Sequence, residues 1–106
     1  LSALAYGYSS GIGGTYNHCF SLYRDMKAHF ARGELDLCRD LQHKSHLFIN
    51  ILSKYRGNII CGKRIMKFLN MDCGPNRLPL QNISMEEEKM IYKELENIHF
   101  FDFCNH

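Results

Sequence analysis

A chain of 106 residues has room for one domain with a modest core. Its composition, 45% hydrophobic and 23% charged, is that of an ordinary soluble globular domain. A net charge of +2 with both signs interspersed argues against a nucleic-acid or membrane surface, and no apolar run is long enough to span a bilayer.

Leu1 to Ala5 is too short and lacks the basic flank of a cleavable signal. The five cysteines, Cys19, Cys38, Cys61, Cys73 and Cys104, are odd in number, widely spaced and without a C-x-x-C pair. Free thiols in a reducing, cytosolic compartment are the simpler reading. A first residue of Leu instead of Met implies a processed chain or a piece of something longer.

In chain order, Leu1, Leu4 and Ala5 share a helical face and Gly7 follows as a stop, so residues 1–7 read as the end of a helix. Gly11-Ile12-Gly13-Gly14-Thr15 comes next. Its glycines let the backbone approach a neighbour closely or take unusual dihedrals. On spacing alone a plain glycine turn competes with the βα corner of an α/β protein, where ligands bind. The spacing matches neither G-x-G-x-x-G nor G-x-x-x-x-G-K-[ST].

Asn17 is an expected N-cap for a helix over residues 17–32, with Cys19, Leu22, Tyr23, Met26 and Phe30 at helical spacing and Gly33 as its stop. A second helix is predicted from Glu34 to Tyr55, its apolar stripe formed by Leu37, Leu41, Phe48, Leu52 and Tyr55, with Cys38 and Ile51 beside it. The short link between the two implies an antiparallel pair. Asn58 is expected to cap a third helix reaching about Asn70, and Gly62 within it implies a close contact with another helix. Two prolines and a glycine in Gly74-Pro75-Asn76-Arg77-Leu78-Pro79-Leu80 predict an ordered extended arm, with Leu78 and Leu80 as anchors. Ser84 and Glu87 form the capping box of a fourth helix, whose core face is Ile91, Leu95 and Ile98. The tail Phe100-Phe101-Asp102-Phe103 is too aromatic to stand free in water and is expected to dock. Several helices around one β segment with no partner strand leave backbone groups unpaired, which argues for the C-terminal part of an α/β protein.

The chemistry-bearing residues are few. His43 and His46 stand three apart, but Gln42, Lys44 and Ser45 mark a wet face and no carboxylate follows, so no metal site is expected. His18 lies at the mouth of the glycine corner and has the best claim of the histidines to a ligand. Cys19 follows it at a helix start, although neighbouring residues diverge by about 100° and a core role is preferred. Arg77 is expected to pair with a carboxylate or cap a helix end. The lysines all fall in helical segments with polar neighbours, where nothing builds the desolvated pocket of a Schiff-base lysine.

The order Gly13-Gly14-Thr15-Tyr16-Asn17, two helices, then Gly74-Pro75-Asn76-Arg77-Leu78-Pro79-Leu80 and a last amphipathic helix resembles the C-terminal part of the sialate lyases. These are the N-acetylneuraminate lyase (sialic acid aldolase) group of the dihydrodipicolinate synthase superfamily. The resemblance implies a mainly α chain that is the C-terminal part of a (β/α)8 TIM barrel plus appended helices. On it, residues 1–7 end a barrel helix, 11–15 are the last strand, 17–32 the last barrel helix and 34–106 a helical extension. It implies a cytoplasmic homo-oligomer, a tetramer, acting on a small sugar acid without metal or cofactor, through a lysine imine and a tyrosine that lie on other strands. No catalytic residue falls in this chain; Gly13, Gly14 and Thr15 would form a wall against the substrate. The group usually carries Gly-Ser where Gly13-Gly14 stand here, so Gly14→Ser is expected to lower KM. The alternatives are a sister aldolase for another 2-keto acid and a helical interaction module without chemistry.

Overall fold

The computed structural model, which describes residues 1–105, has five helices. They are α1 (Ser2–Ala5), α2 (Tyr16–Ala31), α3 (Leu35–Lys54), α4 (Gly57–Phe68) and α5 (Met85–Asn97), with a 3-10 turn at Phe100–Asp102. Short links join α2 to α3 and α3 to α4, and longer irregular segments, 6–15 and 69–84, precede α2 and α5. No strand is present among the described residues. The chain is mainly α, as the periodicity predicts.

The α2–α3 link turns at Gly33, whose φ of 74° falls in the left-handed region that glycine takes without penalty. The two helices pack as the antiparallel pair foreseen. Cys19, Leu22 and Met26 of α2 meet Cys38, Phe48 and Leu52 of α3, while Ile60, Cys61 and Ile65 of α4 and Ile91 and Leu95 of α5 close the core. The tail docks as expected: Phe100 is fully buried and stacks on Phe48 with centroids 4.7 Å apart. The capping box of α5 forms both ways, Glu87 N–H donating to Ser84 Oγ at 3.1 Å and Ser84 N–H to Glu87 Oε2 at 2.8 Å. Arg56 grips the same carboxylate with two nitrogens, at 2.7 and 2.9 Å. This fork and the capping bonds hold the Glu87 carboxyl down at about 2.

Several expectations are corrected. Gly11 to Thr15 is not a buried strand: it is irregular, ends in a turn at Gly14-Thr15, and leaves Ile12 fully exposed. A β segment needs a neighbour to take its backbone hydrogen bonds, and none stands beside it among the described residues. The stripe of α3 holds at Leu41, Phe48, Leu52 and Tyr55 and fails only at Leu37. Cys38 and Ser45 are buried and Leu37 is 47% exposed, so the face runs Cys38, Leu41, Ser45, Phe48, Leu52. Leu78 and Leu80 do not anchor the arm; Leu78 is 93% exposed, and Ile83 is the residue that buries. The arm is held by polar contacts instead, such as Lys63 Nζ donating to Pro75 O at 2.7 Å. Arg77 is exposed and makes neither the carboxylate pair nor the helix cap expected of it among the described residues.

Candidate functional site

The glycine corner leads directly into α2. Tyr16 N–H donates to Gly13 O at 3.2 Å and Asn17 N–H to Gly14 O at 3.3 Å, so the helix starts with Thr15 as N-cap, and Asn17 lies inside it instead of capping it. Gly13 and Thr15 are half-buried and Gly14 is exposed. The Thr15 hydroxyl faces inward: Oγ1 is 2.8 Å from Tyr23 Oη, which is 2.9 Å from Ser45 Oγ. This hydroxyl chain ties the corner through α2 into α3. Ser45, read from its neighbours as part of a wet face, is its buried end. Burial raises the Tyr23 phenol above its ordinary value, against the lowering by its two hydroxyl partners. What Thr15 offers a ligand on the open side is backbone.

Each glycine here faces a close neighbour. A Cβ on Gly13 would stand 3.3 Å from the Tyr16 ring, and one on Gly14 would stand 2.0 Å from Asn58 Nδ2. A serine at position 14 therefore needs Asn58 to swing away. Asn58 does not cap α4: the N-cap is Arg56 at φ 67°, and no side chain caps this helix. Gly62 repays its helix penalty as foreseen, because a Cβ there would lie 3.0 Å from His18 Cε1.

His18 is buried between α2 and α4. Its Nε2 is 2.9 Å from Gly62 O, and since a carbonyl only accepts, Nε2 carries the proton. Nδ1 then has a lone pair and no hydrogen-bond partner. Burial lowers the imidazole pKa, opposed by the Gly62 and Gly14 carbonyls. This ring braces α2 against α4 and does not reach solvent. Cys19 is a core thiol, pushed up to about 12 by burial, and has no part in a relay.

Two features had no readable sequence signal. α2 breaks at Cys19 (φ −148°, ψ 54°), and Asn105 fills the break. Its Oδ1 accepts from Phe20 N–H at 2.7 Å, and its Nδ2 donates to Tyr16 O at 2.9 Å and Asn17 O at 3.0 Å. Its own N–H donates to His18 O at 2.7 Å. The side-chain amide thus takes the place of the interrupted Phe20-to-Tyr16 helical bond. No signal pairs residue 105 with residue 16.

None of the seven lysines is buried, so none has the desolvation that keeps an imine-forming amine neutral. A cavity of about 390 Å³ between α4 and the arm is lined by Lys63, Arg64, Lys67 and Asp72 among others. Its first two cations are already engaged, Lys63 on Pro75 O and Arg64 on Glu88 at 3.1 Å. No cluster of three metal-ligating side chains occurs among the described residues, and His43 and His46 are exposed. No described helix is long and apolar enough to cross a membrane.

Known proteins with this pattern are consistent with one another. The chain is 32% identical over 106 residues to the N-acetylneuraminate lyase of Pongo abelii, covering 99% of this chain and 33% of that protein. It is 31% identical to the Homo sapiens protein of the same name, again with 99% and 33% covered. The structure superposes on Proteus mirabilis N-acetylneuraminate lyase with a TM-score of 0.86 at 28% identity, over 93% of this chain and 33% of that one. The chain thus spans about a third of the length of these relatives, and its helices superpose on part of the Proteus mirabilis structure. The sequence profile of the Dihydrodipicolinate synthetase family matches residues 1–98, and the chain belongs to that family.

Proposed function

We propose that this chain is the C-terminal third of a class I aldolase that cleaves N-acetylneuraminate to N-acetylmannosamine and pyruvate. The observation that carries this reading is the combined match, in sequence and in structure, to proteins named N-acetylneuraminate lyase along nearly the whole chain. In this reading Gly11 to Thr15 takes up its role as the last barrel strand when the preceding strands lie beside it. Gly13, Gly14 and Thr15 then line the mouth of the barrel and offer backbone groups to the polyol part of the sugar acid. Thr15 is held for that role by Tyr23 and Ser45.

The imine-forming lysine and its proton-relay tyrosine belong to the other two thirds, in keeping with the lack of any buried lysine here. The enzyme works in the cytoplasm as a tetramer, in sialic acid breakdown, with no metal. A sister aldolase for another 2-keto acid is the second reading, because the matching family is broader than one substrate.

Borohydride trapping tests the division of labour. Incubation with pyruvate and reductant is expected to leave the 106-residue chain unmodified and to add one pyruvate to the full-length protein. An adduct on a lysine of this chain, or no adduct on the full-length protein, refutes the reading.

A further inference from the structure

We infer that Asn58 is a substrate-contacting specificity residue of the glycine corner, its side-chain amide hydrogen-bonding a hydroxyl or amide group of the sugar acid. The inference rests on the proposed function and adds a residue from α4 to a site otherwise made at the start of α2. Asn58 stands between two glycines. A Cβ on Gly14 would come within 2.0 Å of its Nδ2, and a Cβ on Gly62 within 3.1 Å of its Oδ1. Both missing side chains make room for this one amide.

That room is not filled for capping. Asn58 lies in the first turn of α4, after the N-cap Arg56, and accepts from no helix N–H. It makes no side-chain hydrogen bond among the described residues and is exposed. An amide carries two donor hydrogens and an acceptor oxygen. Here they are placed by shape against Gly14 and remain unspent. A ligand lying on the exposed backbone of Gly14 meets this amide first. A group positioned by packing before the ligand arrives loses little entropy on binding, which is how polar specificity contacts work. The neighbouring chemistry cannot do the same. The Thr15 hydroxyl is engaged with Tyr23, and His18 is buried beneath α4.

The test uses the full-length protein carrying this chain. Asn58→Leu removes the donor and acceptor while keeping similar bulk. It is expected to raise KM for N-acetylneuraminate about three- to tenfold, the effect of one neutral hydrogen bond, with kcat within about twofold. Gly14→Ser alone displaces Asn58 and is expected to raise KM, the reverse of what the resemblance by itself implies, because its Cβ would meet Asn58 Nδ2 at 2.0 Å. The double variant Gly14→Ser/Asn58→Gly gives the serine its space and recovers most of the loss. Thermal melts of each variant separate misfolding from lost contact. If the variants fold and trap pyruvate normally but KM for N-acetylneuraminate is unchanged in Asn58→Leu, or the double variant is as impaired as Gly14→Ser, this inference is wrong and the aldolase reading stands. A wild-type protein that traps no pyruvate overturns both.

Discussion

Replacing Asn105 by alanine should loosen the entry to α2, and with it the glycine corner, more than its place one residue from the chain end suggests. The change removes three side-chain hydrogen bonds to the break at Cys19: one from Phe20 N–H and two to the carbonyls of Tyr16 and Asn17. Net contributions of about 0.5 to 1.5 kcal/mol each would sum to about 3 kcal/mol if all three were shielded. Asn17 and Phe20 are exposed, however, so water replaces part of what is lost. About 1 to 2 kcal/mol of destabilisation is the expected result. Urea unfolding measures the total, and amide exchange locates it: Phe20 N–H should exchange faster while the amides around Phe48 follow global stability alone. Asn105→Asp keeps the acceptor for Phe20 but turns a carboxylate toward two carbonyls, so it should not rescue. Wild-type protection of Phe20 in Asn105→Ala would show that the helix closes its own break, and the argument would fall.

The other predictions are local. Ser84→Ala should cost about 1 kcal/mol through the lost cap, read as a lower urea midpoint. Glu87 has a folded pKa of about 2, below its ordinary 4.5. Its contribution is therefore fully present above about pH 4.5 and is lost as pH falls from there toward 2. The stability difference between wild type and Glu87→Gln should shrink across that window, and a difference that grows instead would reverse the sign. Gly62→Ala should destabilise by about 1 kcal/mol, the clash with His18 at 3.0 Å outweighing the better helix propensity of alanine. A stabilised variant in thermal melts would show that the ring has room to move. Of the five thiols only Cys73 is exposed, so an aromatic disulfide reagent should titrate one fast thiol in the native chain and five in denaturant.

What could be read from the sequence was what is local in the chain. The Ser84–Glu87 box and the Gly33 turn depend on residues within a few positions, and both formed as read. The Gly62 contact was foreseen because a glycine inside a helix needs a reason, although its partner, His18, lies 44 residues away. The errors have a common cause in contacts remote along the chain. Ser45 sits among polar residues in sequence but under Tyr23 in space. Leu37 has the right residue type but points off the buried face by one helical step. The Gly11–Thr15 segment has strand chemistry, yet strand formation belongs to a pair of segments and not to one. Of the candidate site, the corner itself was legible. An asparagine near a helix start reads locally as a cap, and the close approach of Asn58 to Gly14 joins positions remote in the chain that no local pattern connects.

The central claim, that these residues form the sugar-acid wall of an N-acetylneuraminate lyase, is tested most directly by a chimera. This chain would replace the matching third of Proteus mirabilis N-acetylneuraminate lyase, which leaves that enzyme's other two thirds intact. The account predicts a folded chimera that traps pyruvate and releases pyruvate and N-acetylmannosamine from N-acetylneuraminate. A chimera that folds and traps pyruvate yet leaves N-acetylneuraminate uncleaved would contradict it.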